Sequence, residues 1–220
     1  MIELETHGYF VQPDVLSSTE CDRLAGEVES TGTTGAGTRN LLERPWCKAL
    51  ALALKRHCLL PHILPGAVAV QCSLFAKSKG TNWSVTPHQD ISIPVASKVD
   101  TPYCSGWSEK EGGLFTQPPE DVLNSLIAVR LHLDPFSQDA GPLLVAPGSH
   151  RLGRLPSSRA AQSFASRSQV CMVHRGGALV MRPLLVHASC KVAASVNRRV
   201  LHFLFGPASL PFGLQWANAV

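Results

Sequence analysis

Thr86-Pro87-His88-Gln89-Asp90-Ile91-Ser92-Ile93-Pro94-Val95 sets an imidazole and a carboxylate two residues apart beside an alternating apolar pattern. On a β-strand, residues i and i+2 share a face, so His88 and Asp90 can grip one ion together. Ile91, Ile93 and Val95 support a strand through this stretch, with Pro87 at its start and Pro94 limiting its ladder pairing. A third ligand has to come from elsewhere, and His187 is the candidate. Two histidines and one carboxylate on one face of an ion, with the other face open, form the donor set of non-haem Fe(II) oxygenases. The motif alone is weak. A chain with 9 His and 16 acidic residues meets His-x-acid by chance, and His132-Leu133-Asp134 is a second example.

Composition narrows the classes. At 220 residues and 23.7 kDa the chain is expected to form one domain over 1–220, with a core that needs no disulfide or metal staple. A content of 45% hydrophobic and 16% charged residues is globular and lightly charged, and 17 Gly with 16 Pro fit many strands and turns. The net charge of +4 comes without a dense Lys/Arg block, which argues against a nucleic-acid partner. No apolar run approaches the roughly 18 residues of a membrane span, so no membrane partner is expected. Met1-Ile2-Glu3-Leu4-Glu5 is acidic where a secretory leader starts basic. The seven Cys are scattered, with no Cys-x-x-Cys, as in a reducing compartment. A cytoplasmic location is expected.

Along the chain, Gly8 to Val11 reads as a short strand. Ser17-Ser18-Thr19-Glu20 is a capping box that starts a helix reaching about Glu29. Ser30 to Thr38, with three Gly and four Thr, reads as a loop. A second helix is predicted from Leu42 to Leu60, amphipathic through Leu50, Leu54 and Cys58 and stopped by Pro61 and Pro65. Val68 to Lys77 is strand-like, with Gln71, Ser73, Phe75 and Lys77 on one face, and that polarity suits a cavity wall. Ser97 to Asp121 reads as a long irregular loop of the kind that covers active sites. Ser125 to Leu133 is a strand with Ala128, Arg130 and His132 on one face. Gly141 to His150 reads as a strand and tight turn, and Ser157 to Ser168 as a polar helical turn. Three closing strands follow: Val170 to His174, Ala178 to His187 and Val200 to Phe205. Strands preceded by helices imply a mainly β sandwich or barrel with helical cover.

Several of these segments together resemble the phytanoyl-CoA dioxygenase family of Fe(II)/2-oxoglutarate-dependent oxygenases. They are Gly8-Tyr9-Phe10-Val11, His88-Gln89-Asp90, Gly141-Pro142-Leu143 through Pro147-Gly148-Ser149-His150, Pro183 through Ser189, and Arg198-Arg199-Val200-Leu201-His202. The resemblance implies a double-stranded β-helix (jelly roll), with the N-terminal helices packed on the sheet. It implies Fe(II) held by His88, Asp90 and His187, with 2-oxoglutarate as co-substrate and O₂ as oxidant. Arg198 matches the arginine that pairs with the far carboxylate of 2-oxoglutarate, a role suited to a planar guanidinium fork. Ser189 matches a hydroxyl that assists it, and Lys77 or Gln71 a further polar contact. Where many members carry an aromatic on the central strand, this chain has Arg130 or a neighbour.

The rival pair at His132 stands fewer strands before His187 than such a jelly roll requires. His132 shares a strand face with Arg130, which suits pocket lining or support of the ligands. Arg199 must face away from Arg198. Trp83 and Trp107 are candidates for lining the substrate site. His150, His174 and His202 receive no role. The implied reaction releases succinate and CO₂ and oxidises a small organic metabolite, because no basic surface of coenzyme A size is visible. Asp90 retains a full carboxylate where halogenating relatives carry a small residue, which predicts hydroxylation, with desaturation or epoxidation as variants. The alternative is a non-catalytic jelly-roll module holding a ligand or a structural metal.

Overall fold

The computed structural model describes residues 2–32, 35, 37–57, 64–78, 80–191 and 197–220. Its helices are α1 (Ile2–Thr6), α2 (Ser18–Ser30), α3 (Pro45–Arg56), α4 (Glu120–Asn124) and α5 (Ser157–Arg167). The strands are β1 (Tyr9–Gln12), β2 (Gly37–Thr38), β3 (Val68–Lys77), β4 (Val85–His88), β5 (Ile93–Val95), β6 (Ser105–Lys110), β7 (Gly113–Gln117), β8 (Ile127–His132), β9 (Leu143–Val145), β10 (Gln169–Val170), β11 (Ala178–Met181), β12 (His187–Ser189) and β13 (Arg198–Gly206). They form a large antiparallel sheet in the order β1-β11-β8-β13-β3-β2, a small sheet β10-β9-β12-β4, and a third sheet β5-β7-β6.

Period-two alternation divides the large sheet into two faces. Cys72 and Leu74 of β3, Ile127, Val129 and Leu131 of β8, and Leu201, Phe203 and Phe205 of β13 join one apolar cluster with Leu24 and Val28 of α2 and Cys47, Leu50 and Leu54 of α3. Full burial of each large side chain there contributes about 1.5–3 kcal/mol, so the helices are held on that face by packing. The opposite face carries Gln71, Ser73, Phe75 and Lys77 of β3 with Arg198 and His202 of β13, and all six line a cavity. The capping box forms as read: the Glu20 amide donates to Ser17 Oγ, and the Ser17 amide to the Glu20 carboxylate.

Five expectations need correction. Of the strand expected at Val170–His174, only Val170 belongs to a strand, β10. The strand expected through Thr86–Val95 breaks after His88, and β4 and β5 belong to different sheets. Gln89 causes the break. Its buried amide donates to the Gly153 and Leu184 carbonyls at 2.8 and 2.7 Å and accepts from the Leu155 amide at 2.8 Å, which turns the chain off the ladder. The irregular loop expected at 97–121 contains the β6–β7 hairpin, which pairs with β5. The stretch Ala178–His187 is two strands in two sheets, β11 and the start of β12. The polar helical turn at 157–168 is an eleven-residue helix, with Ala160 and Ser163 buried. In the second predicted helix, Cys58, Leu60 and Pro61 lie outside the described residues. Cys21, Cys47, Cys72, Cys104, Cys171 and Cys190 are free thiols. Among the described residues no helix is long and apolar enough to cross a membrane.

Candidate metal centre

β4 and β12 are neighbours in the small sheet, and their register sets His88 directly opposite His187. The two rings lie 4.2 Å apart, centroid to centroid. Asp90 follows on the segment beyond β4, where its amide donates to the Pro183 carbonyl at 2.9 Å. Its Oδ1 faces His88 Nε2 at 3.8 Å and its Oδ2 faces His187 Nε2 at 3.7 Å. One donor atom from each of the three lies within 4.8 Å of the others, the only such group able to hold a metal ion among the described residues.

The imidazoles are oriented by the backbone. His88 Nδ1 faces the Thr86 carbonyl and His187 Nδ1 the Leu185 carbonyl, each at 2.9 Å. A carbonyl only accepts, so each Nδ1 carries a proton, and in the neutral ring the lone pair is on Nε2, facing the centre. Burial pushes His187 down to about 4, more than the neighbouring Asp90 carboxylate raises it, so the ring is neutral near pH 7. Burial also acts to raise the Asp90 carboxyl. The charges of His187, His202, His88 and Arg130 outweigh that and hold it at about 2. Two imidazole nitrogens, one ionised carboxylate and an open side toward the cavity fit Fe(II).

The cavity beside this group measures about 420 Å³, at the small end for ligand sites. At one end, register places Lys77 of β3 directly opposite Arg198 of β13. Both are buried, although like charges facing across a ladder repel. Lys77 Nζ donates to Ser189 Oγ at 2.9 Å and to the Cys190 carbonyl at 2.7 Å. Arg198 Nη1 donates to the Gly141 carbonyl, and its buried Nε has no partner. Burial and the Arg198 charge push Lys77 down to about 8; burial and the Arg130 charge push Arg198 down to about 10. No carboxylate pairs with either among the described residues. Two buried cations without a counter-ion, beside the open side of a metal group, fit the far carboxylate of a dianion such as 2-oxoglutarate.

A model of the phytanoyl-CoA dioxygenase family matches residues 4–200. The chain belongs to that family. The phytanoyl-CoA dioxygenase fold also recurs among solved structures: HygX from Streptomyces hygroscopicus with nickel, 2-oxoglutarate and hygromycin B bound has 18% identity and a TM-score of 0.61 over 93% of this chain and 84% of its own. SnoK, a non-haem α-ketoglutarate-dependent carbocyclase from nogalamycin biosynthesis, has 14% identity and a TM-score of 0.70 over 94% and 82%. SnoN, an epimerase from the same biosynthesis, has 14% identity and a TM-score of 0.71 over 99% and 86%. No curated protein matches the chain in sequence. The fold is thus the mainly β jelly roll of Fe(II)/2-oxoglutarate-dependent enzymes. Fe(II), 2-oxoglutarate and O₂ are the cofactor set of the phytanoyl-CoA dioxygenase family, and its activity is of the oxygenase type.

Of the residues expected to touch substrate, Trp83 and Arg130 line the cavity and Trp107 and His132 do not. Trp107 packs instead against the apolar cluster around Ile93, Val95 and Trp216, under the Lys98 ammonium. His132 faces the interior one step along β8, opposite Val200, and is buried with an unpartnered Nε2. Its would-be companion Asp134 is claimed by Arg199, whose Nη2 donates to Oδ1 at 2.6 Å. Arg199 accordingly points away from the cavity and also reaches Glu29 at 2.7 Å. Sequence reasoning left His202 without a role, yet it lines the cavity with its Nε2 3.9 Å from Asp90 Oδ2. Its signal was parity, since residues 198 and 202 share a strand face. Also missed was Glu111 at the β6–β7 turn, which ties down the segment after Gly37. It accepts from Thr38 Oγ1, the Arg39 amide and Arg39 Nη1 at 2.7–2.8 Å. That fastening holds Arg39 against the cavity beside Lys110 and Phe115.

Proposed function

We propose that the protein is an Fe(II)/2-oxoglutarate-dependent dioxygenase that hydroxylates a small organic metabolite. His88, Asp90 and His187 hold the iron, and Arg198, Lys77 and Ser189 receive the far carboxylate of 2-oxoglutarate. The observation that carries this reading is the juxtaposition of an uncompensated Lys77–Arg198 pair with a three-ligand group in one cavity. A module holding only a structural metal has no use for buried, mutually repelling cations beside it.

Bound iron supplies the chemistry that couples oxidative decarboxylation of 2-oxoglutarate, to succinate and CO₂, with oxidation of the substrate by O₂. The protein's residues bind, orient and exclude. The Thr86 and Leu185 carbonyls keep both ligand nitrogens bare. Lys77 and Arg198 fix one end of the co-substrate, so its keto-acid end presents to the open metal face. Phe75, Phe115, Trp83 and Leu204 line the walls and keep water from the reacting centre. Asp90 occupies the position that a halide needs, which favours transfer of oxygen over halogen. The cavity's size and the hygromycin B bound by HygX support a small metabolite as substrate.

Anaerobic addition of Fe(II) and 2-oxoglutarate should give a visible charge-transfer band, and O₂ should then yield succinate. His88→Ala, Asp90→Ala and His187→Ala should abolish the band, and His132→Ala should retain it. Absence of both band and succinate in the unaltered protein ends the oxygenase reading. With a substrate found by screening small metabolites for succinate release above background, ¹⁸O₂ should label the product even in excess chloride. A chlorinated main product overturns the argument from Asp90.

A further inference from the structure

Three imidazoles, not two, surround the Asp90 carboxylate. The Nε2 atoms of His88, His187 and His202 lie 3.8, 3.7 and 3.9 Å from its oxygens. Distance to the carboxylate therefore does not separate the two proposed ligands from the third ring. Their other nitrogens do. The Nδ1 atoms of His88 and His187 face carbonyls, which only accept. His202 Nδ1 faces Arg130 Nη1 at 2.8 Å, and a guanidinium only donates. His202 Nδ1 is therefore the bare nitrogen, and the proton of the neutral ring sits on Nε2, toward Asp90.

We infer that Arg130 keeps the centre at three protein ligands by locking His202 in the Nε2–H tautomer, which bars it from the metal. This inference rests on the proposed reading of His88, Asp90 and His187 as the iron ligands. The lock is built into the sheet. β13 and β8 pair so that His202 lies directly opposite Arg130. Phe75 braces both partners: its ring meets His202 edge-on at 5.7 Å and stacks under the Arg130 guanidinium at 5.2 Å. Arg130 is buried, its Nε has no partner, and its Nη1 meets His202 Nδ1 at 2.8 Å. An Nε2 that carries a proton cannot ligate, and an Nδ1 capped by a cation cannot either. A fourth protein ligand would fill a position that the co-substrate or O₂ requires, so the arginine preserves the vacancy on which turnover depends.

The probe is Cu(II) alone, in protein stripped of other metals, with the coordinated imidazoles counted by electron spin-echo spectroscopy. The native protein should show two and Arg130→Met three; Arg130→Met/His202→Leu should return to two. Arg130→Lys, which keeps a donor against Nδ1, should stay at two. In parallel, ¹⁵N spectra of the metal-free protein should report His202 as the Nε2–H tautomer. Three imidazoles in the native protein, an unchanged count in Arg130→Met, or an Nδ1–H tautomer in the native protein each overturns the inference. Failure of the underlying ligand assignment looks different: His88→Ala would then leave the native count intact. The tautomer measurement needs neither metal nor activity, so it stands even where Arg130→Met proves poorly folded.

Discussion

Arg198 and Arg199 are consecutive, and replacing each by Met should have unlike effects on the metal-free protein. Arg198 is buried beside Lys77 and Arg130 without a carboxylate. The fall of its guanidinium to about 10, caused by burial and then by Arg130, corresponds to roughly 3 kcal/mol against the charged form. Met keeps the alkyl packing and removes that penalty, while the lost hydrogen bond to the Gly141 carbonyl costs about 1.5–3 kcal/mol. The two nearly cancel, and Arg198→Met should unfold within about 1 kcal/mol of the native protein. Arg199 instead neutralises Asp134, whose side chain is only 10% exposed. Its removal strands a buried carboxylate, and after discount for the partial exposure of Arg199 the cost should be about 2–4 kcal/mol. The exposed Glu29 contact adds little. Urea unfolding near pH 7 with a chelator present measures both values. With nickel already present, 2-oxoglutarate should then raise the midpoint of the native protein and of Arg199→Met further, but that of Arg198→Met much less. A loss above about 2 kcal/mol for Arg198→Met, or below about 1 for Arg199→Met, refutes the assigned orientations.

Other outcomes follow from the same site. Burial, then Arg130 and Arg198, push His132 down to about 3. The unfolded chain therefore takes up this proton first, and stability should fall as pH drops from about 6.5 toward 3; His132→Leu should flatten part of that fall in acid-unfolding curves. Lys77, at about 8 in the free protein, loses its charge above that value, so 2-oxoglutarate affinity measured by titration should weaken as pH rises through 8. Lys77→Met should bind weakly with a flatter profile. Gly141 has φ +61°, and an added Cβ would meet the Cys190 carbonyl at 2.4 Å, the acceptor for Lys77. Gly141→Ala should therefore cost more than about 1 kcal/mol by urea unfolding and weaken 2-oxoglutarate binding together.

What the sequence disclosed was local and periodic. The polar face of β3 stood out because alternate residues from Gln71 to Lys77 include amide, hydroxyl and ammonium groups that an apolar core rejects, and all four line the cavity. The break after His88 was hidden because its cause is distant: Gln89 is bonded to Gly153, Leu155 and Leu184. The β6–β7 hairpin was hidden because Ser105-Gly106-Trp107-Ser108-Glu109-Lys110 has little apolar alternation, and its pairing depends on β5. For His132 the face was legible but the depth was not, since the extent of the cavity along β8 depends on the opposing sheet. His202 carried the same parity signal as Arg198, yet its meaning lies in the cross-strand register that brings Arg130 to its Nδ1.

The proposed iron ligands stand on the small sheet and the segment beyond it, whereas the buried cations stand on the large sheet. At that end Lys77 reaches across to Ser189 and the Cys190 carbonyl. Under the proposed assignment the gap between sheets is a caliper set to a five-carbon keto diacid. A four-carbon analogue such as oxaloacetate, chelated at the same ion, would stop short of the cations by about one carbon–carbon bond, roughly 1.5 Å. Discrimination between these two acids then comes from how far apart two sheets are stacked, not from any group that reads the difference. Repacking well away from the site, wherever it alters that stacking, becomes a way to change which acid the enzyme consumes.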